Sequence, residues 1–359
     1  MTIQLTKAPD ITMVARTIDL LTMCSTGLYK WYCMVKFSDE FIVFDTQLVQ
    51  IQTQGLVSYG SEAQQFTRNH LRPMKKITII YLLCGFFMDI IIIFSTLITY
   101  PKNGRSDSAY FNDPKSYPLS CWIPFTVNNY QIFTGIIIVH AVVLIAATNM
   151  YLAIDTYMFG SIYAIGGQIN LLNTTLNNIS DRLKLDHNDG ISCLNYRDYQ
   201  QEKLSYLVVQ CAKHHALILK YIRKLRNMYN YLILVDYMHA ITSLTFAIFQ
   251  MQMSFGTGES IALVLFVVIS LYHQFLNNFF GEYILQKQSS ISVALYNVPW
   301  WRANKNVRQL LMFMIARTNM QTNIMGFYMY KLCLKSFIAF VKALYTYYMV
   351  LRQMNQTST

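Results

Sequence analysis

Residues 130–154 read YQIFTGIIIVHAVVLIAATNMYLAI, twenty-five positions without a single Asp, Glu, Lys or Arg. A helix needs roughly 20 mostly apolar residues to cross a hydrocarbon core about 30 Å thick. This stretch meets that requirement and decides the fold class, because four others match it: about 77–99, 229–252, 260–283 and 333–351. A sixth, about 11–35, is weaker, since it contains Arg16, Asp19 and Lys30. Arg16 and Asp19 are three residues apart and can pair on one helix face turned to the bundle interior. The prediction is an all-α, polytopic membrane protein with six visible spans.

Composition agrees. Of the 359 residues, 54% are hydrophobic and only 13% charged, where soluble domains carry about 25%. So little charge cannot coat a soluble fold of this size. The formal net charge of +11 does not point to nucleic acid, because the basic residues fall between apolar runs and not beside aromatics on one solvated face. The expected electrostatic partner is membrane lipid, the anionic cytoplasmic leaflet in particular. Seven cysteines, with no CxxC spacing, read as packing thiols; only Cys121 falls in a loop placed outside. The opening residues, MTIQLTKAPD, lack the basic and apolar regions of a cleavable signal peptide.

The loops set the orientation. Segments 36–76, 155–228 and 284–332 carry most of the Lys and Arg, whereas 100–129 holds three and 253–259 none. The positive-inside rule places the three basic segments in the cytoplasm and both termini outside. Within them, 202–226 and 306–330 show apolar residues at helical spacing and are expected to be packing helices. The division this predicts is 1–154 (membrane bundle), 155–228 (cytoplasmic loop and amphipathic helix), 229–283 (two spans), 284–332 (cytoplasmic anchor region) and 333–359 (last helix and short tail).

Four local patterns narrow the class. YPLSCWIPF (117–125) precedes the 130–154 span, and IDTYMFGSIYAIGGQINLL (154–172) follows it, with an Asp, a glycine-containing middle and a Gln before paired Leu. NFFGEYI (278–284) leads through YNVPWW (296–301) to a Leu-rich helix containing Arg317, and SFIAFVKALYTYYMVLRQ (336–353) ends the chain's apolar runs. In order and spacing these resemble the insect odorant receptors. Gln321 stands where that family often has a proline.

The resemblance implies a tetrameric, ligand-gated, nonselective cation channel whose last helix lines a pore. By similarity Val350 is the gate and Gln353 the outer constriction. Ala343, Thr346, Val350 and Gln353 are three or four residues apart and share one helix face, and four Val350 side chains round an axis can close a pore by dewetting. Arg352 bears on stoichiometry: four arginines at a narrow mouth repel cations and one another, whereas one among uncharged neighbours is tolerable. The expected partners are therefore the odorant receptor co-receptor, in a heterotetramer, and a small volatile odorant. Candidate ligand-contacting residues, chosen by depth, are Phe94, Ile98, Phe133, Ile137 and Phe266. The expected location is the plasma membrane of olfactory sensory neurons.

Other readings fare less well. Thr346-Tyr347 followed by Gln353 resembles the end of gustatory receptors, the nearest alternative. There is no E/DRY-type triplet or NPxxY for a G-protein-coupled receptor and no inverted repeat for a secondary transporter. No nucleophile motif, paired carboxylates or phosphate loop points to an enzyme. His214 and His215 are adjacent and make a poor metal pair, so no metal or other cofactor is expected. Asp89, His140, Asp236 and His239 lie in or near spans, as interior hydrogen-bonding groups for the most part. Because that family has seven spans, the first is expected to be missing from this sequence.

Overall fold

The computed structural model describes residues 11–60, 63–98, 111–113, 116–119, 123–185, 193–253, 259–320, 322–327 and 329–357; the loop carrying Cys121 and the side chains of Arg16 and Asp19 lie outside this set. In chain order the elements are α1 (Ile11–Lys36), α2 (Ser38–Tyr59), α3 (Ala63–Ile98), α4 (Tyr130–Asn177), α5 (Ile179–Leu185) and α6 (Cys193–Met253). They continue with α7 (Glu259–Tyr296), a 3-10 turn at Trp300–Arg302, α8 (Lys305–Asn319), a two-stranded antiparallel hairpin of β1 (Met325–Gly326) and β2 (Tyr330–Lys331), and α9 (Leu334–Thr357). Among the described residues, α3, α4, α6 and α7 are each long and apolar enough to cross a membrane. The more polar α1 and α9, with 26 and 24 residues, occupy the two remaining predicted spans.

The helices overrun those spans. α4 has 48 residues and α6 has 61; at about 1.5 Å per residue they measure about 72 and 92 Å, well beyond a hydrocarbon core about 30 Å thick. Much of what the charge pattern marks as loop is therefore a second, polar-ended helical bundle continuous with the spans. Burial along α4 changes where the lipid-length part ends. Before Asp155, Ile132, Ile138, Val139, Val142 and Val143 are 46–62% exposed, an apolar surface suited to lipid and not to water. From Asp155 to Leu176 most side chains are buried, so this half is the centre of the main core.

The α6 extension explains its own length. Leu204, Val208, Cys211, His215, Ile218, Ile222, Leu225 and Tyr229 are buried at alternating steps of four and three. That step is the seam of two helices packed side by side, and here it lies against α2, α4 and α7. The Gly166-Gly167 pair on α4 lets two neighbours approach closely. A methyl at Gly166 would meet the Tyr283 ring, and one at Gly167 would meet His70. In the space left, His70 stacks on Tyr163 with centroids 4.6 Å apart, and Tyr163 stacks on Tyr283 at 5.5 Å. The glycine-containing middle of the 154–172 pattern thus has a steric reason: only hydrogen fits beneath those rings. α8 starts from Asn304, whose side chain accepts from the Val307 N–H at 2.9 Å, and it buries Val307, Leu311 and Met314 as a packing helix.

His214 and His215 lie in this second bundle, 0% and 3% exposed. Their side chains diverge: His214 lies beside Gly55 and Gln168, and His215 approaches Thr318 Oγ1 at 3.5 Å. Burial holds both imidazoles down to about 4, assisted by His215 for His214 and by Arg317 for His215. Because the folded values lie below the ordinary 6.5, both contributions to stability are complete above about pH 6.5 and are lost as pH falls toward 4. The apparent melting temperature of the purified protein should therefore fall between pH 7 and pH 4.5. The fall should be shallower in His214→Leu, and equal slopes for the two proteins would contradict this assignment.

Candidate functional site: a buried ion cluster and the seat of the last helix

Five helices meet at one charged centre. Lys30 of α1 is 0% exposed; its Nζ donates to Asp155 Oδ1 of α4 at 2.7 Å and lies 2.8 Å from Asp236 Oδ1 of α6. The same ammonium stands 3.5 Å above the Tyr151 ring, a cation–π contact strengthened by the absence of water. Asp155 Oδ2 accepts from Tyr81 Oη of α3 at 3.1 Å and faces His273 Nε2 of α7 at the same distance. Asn277 Nδ2 approaches His273 Nε2 at 3.3 Å, one turn along α7.

Each partner is ordinary or awkward when read alone. In the sequence Lys30 counts against the first span, Asp155 is one letter of a pattern, and Asp236 is an interior polar residue. Brought together, they are mutually required, because a charge removed from water must be paired. Ionisable residues within spans were the signal, but their partners are 118 to 206 positions apart and sequence spacing cannot match them. Asp89 is simpler, an interior acceptor for Thr148 Oγ1 at 2.8 Å.

The NFFGEYI segment has a second structural task. Asn278 Oδ1 accepts from Tyr330 Oη at 3.0 Å and from the Cys333 N–H at 3.2 Å, while its Nδ2 donates to the Gln274 carbonyl at 2.8 Å. Glu282 accepts from the Leu334 N–H at 3.4 Å, placing a negative charge at the positive end of α9. Gly281 lies against the Leu332 backbone, with no room for a methyl. This part of α7 is therefore the socket from which the last helix rises. Above it, Phe340 and Leu344 of α9 pack with Ala240 and Leu244 of α6.

Ala343, Thr346, Val350 and Gln353 stay on the exposed side of α9, Val350 at 50%. The Arg352 side chain lies outside the described residues.

The depth-chosen ligand candidates separate. Phe133 and Ile137 are buried in a small aromatic cluster with Phe111, Tyr117 and Val127. Phe133 lies 4.8 Å from the Phe111 ring and 5.1 Å from Tyr117. Asn112 ties this segment to the stretch that leads into α4, accepting from the Val127 N–H at 2.9 Å, and Tyr117 Oη donates to the Phe111 carbonyl at 2.7 Å. Phe94 is 59% exposed and Phe266 half-buried, and neither belongs to that cluster. The Ile98 side chain lies outside the described residues. An open groove of about 660 Å³ occurs elsewhere, between α6 and Asn304. Its lining of Asp198, Glu202, Gln210 and Lys213 is too polar to suit an apolar volatile.

Two outcomes follow from the geometry. Lys30→Met leaves two carboxylates facing each other without a cation and should cost about 3–5 kcal/mol, seen as loss of the monodisperse peak in detergent chromatography. The triple change Lys30→Met, Asp155→Asn, Asp236→Asn should recover much of that peak; recovery no better than the single variant would refute charge imbalance as the cause. Gly281→Ala should lower stability by about 1–3 kcal/mol through overpacking against Leu332. An unchanged melting temperature would show that the α9 seat yields freely.

A family model described as "7tm Odorant receptor" matches residues 10–345. Odorant receptor 85c of Drosophila melanogaster is 25% identical over 158 residues, covering 44% of this chain and 40% of that protein. Odorant receptor Or2 of Anopheles gambiae is 23% identical over 144 residues, covering 40% and 38%. The chain thus spans about two-fifths of the length of these curated relatives. The solved olfactory receptor OR5 of Machilis hrabei superposes with a TM-score of 0.77 at 13% identity, covering 98% of this chain and 84% of that one. The same receptor, in complex with eugenol, gives 0.76. The fold is that of an insect olfactory receptor, and with the family match spanning all but its two ends, this multi-pass membrane chain belongs to the insect odorant receptor family.

Proposed function

We propose that the chain is a tuning subunit of an odorant-gated, nonselective cation channel. It assembles with the odorant receptor co-receptor as a heterotetramer in the plasma membrane of olfactory sensory neurons. The observation that carries this reading is the two-sided last helix. Phe340 and Leu344 hold α9 to its own bundle, while the Ala343–Thr346–Val350–Gln353 stripe is left exposed. In that reading neighbouring subunits meet the stripe across a central axis. Val350 supplies an apolar ring that closes by dewetting, and Gln353 supplies amide dipoles at the mouth. Arg352 limits how many copies can surround one mouth, which favours mixed assembly over four identical chains.

The basic end of the bundle is the cytoplasmic end, with 155–228 and 284–332 forming the intracellular helical layer and the anchor region. The aromatic cluster around Phe133 and Ile137 lies at the opposite end, and Phe94, Ile98 and Phe266 remain candidate wall residues for the same odorant site. Eugenol bound to the Machilis hrabei receptor supports a small organic ligand. Such a ligand opens the channel only to the extent that it binds the open state more tightly than the closed one.

Expression in cells with and without co-receptor tests the assignment. Odorant panels should evoke current only when both chains are present, and Phe133→Ala should shift the half-maximal concentration for the responding odorant by about tenfold, equivalent to about 1.4 kcal/mol. Robust odorant-gated current from this chain alone would refute the tuning-subunit reading.

A further inference from the structure

The first turns of α3 carry a charge pattern that neither the ion cluster nor the channel reading uses. Arg68, Arg72, Lys75 and Lys76 fall at i, i+4, i+7 and i+8, an arc of about 100° on one side of a helix. All four are exposed, and none forms an ion pair or hydrogen bond with another described residue. No Asp or Glu occurs between Ala63 and Met88 to neutralise them. The opposite side of the same helix turns inward: Ala63 and Met74 are buried, and His70 stacks on Tyr163. The stripe therefore faces away from the chain's own bundle.

Depth selects the partner. Lys76 directly precedes the apolar run that starts at Ile77. Lys75, Lys76 and Arg72 fall within about 8 Å of that run along the axis, the thickness of a headgroup layer, and Arg68 stands about 13 Å away, just beyond it. Four unpaired cations that climb from the acyl boundary into water match an anion that does the same. A lipid headgroup bearing several phosphates on an extended ring has that shape and charge. Arg68 and Arg72 can grip phosphate oxygens two at a time, and the two lysines act as point charges on the phosphodiester.

We propose that this face of α3 is a binding site for a polyphosphorylated inositol lipid of the cytoplasmic leaflet. The assignment rests on the orientation proposed above, but its test requires neither channel activity nor co-receptor. The full chain, purified in detergent, is titrated with dioctanoyl phosphatidylinositol 4,5-bisphosphate, dioctanoyl phosphatidylserine and inositol 1,4,5-trisphosphate while its melting temperature is followed. The bisphosphate lipid is expected to stabilise the protein at concentrations where the serine lipid does not. Arg68→Gln with Arg72→Gln, which leaves Lys75 and Lys76 to preserve the insertion topology, should weaken that binding by about tenfold or more. Arg68→Lys with Arg72→Lys, which keeps the charge but loses the paired guanidinium contacts, should bind more weakly than the unmodified chain and more tightly than the glutamine variant. No stabilisation by the bisphosphate lipid, or equal affinity in the glutamine variant, would overturn the proposal. A response to inositol trisphosphate equal to that of the lipid would overturn the lipid assignment in favour of a soluble phosphate.

Discussion

A lysine with no access to water organises this protein. Lys30 is fully buried, and its charge is held by two carboxylates and the face of an aromatic ring. In low-dielectric surroundings an unpaired ammonium is too costly to keep, so α1 can pack at this depth only if α4 and α6 bring Asp155 and Asp236 to it. Tyr81 and His273 extend the requirement to α3 and α7. A buried ion pair is weak evidence of net stability, but it strongly penalises arrangements that separate its members. Here it selects one relative placement of five helices whose apolar surfaces alone would tolerate many.

Around that centre the molecule divides by solvent and not by chain break. On one side, Ile79, Ile80, Leu83, Phe86 and Phe87 of α3 and the matching valines and isoleucines of α4 face outward, where lipid is the only favourable solvent. On the other, the same helices run on with their apolar residues buried on each other and their charges outside. Asp155 sits where α4 passes from the first regime to the second. The Gly166-Gly167 notch and the four-three seam of α6 are the packing devices of the second regime, one setting how closely helices approach and the other setting their register.

The last helix depends on both. Asn278, Gly281 and Glu282 fix where it starts, through three hydrogen bonds and one steric contact. Phe340 and Leu344 fix which way it faces. A helix held by one end and one side leaves its remaining surface exposed.

Much of this was legible in the residues. Apolar run length marked the spans because the bilayer imposes a fixed thickness, and low charge excluded a soluble fold. Helical spacing identified 202–226 as a packing helix and did so for only the first half of 306–330, where the helix ends at Asn319 and the chain turns into the β1–β2 hairpin; the local patterns pointed to the family that comparison then established. Segments 36–76 and 155–228 read as loops because charge density marks the end of a span, not the end of a helix; backbone hydrogen bonds continue wherever a partner covers the apolar side. Tertiary structure alone decided that Lys30, Asp155 and Asp236 are one unit, that Asn278 serves α9, and that Phe133 joins the loop cluster while Phe94 does not. The reason is the same in each case. Hydropathy and period are properties of neighbours along the chain, whereas charge pairing, close approach and the facing of a side chain depend on residues that only folding brings within a few ångströms.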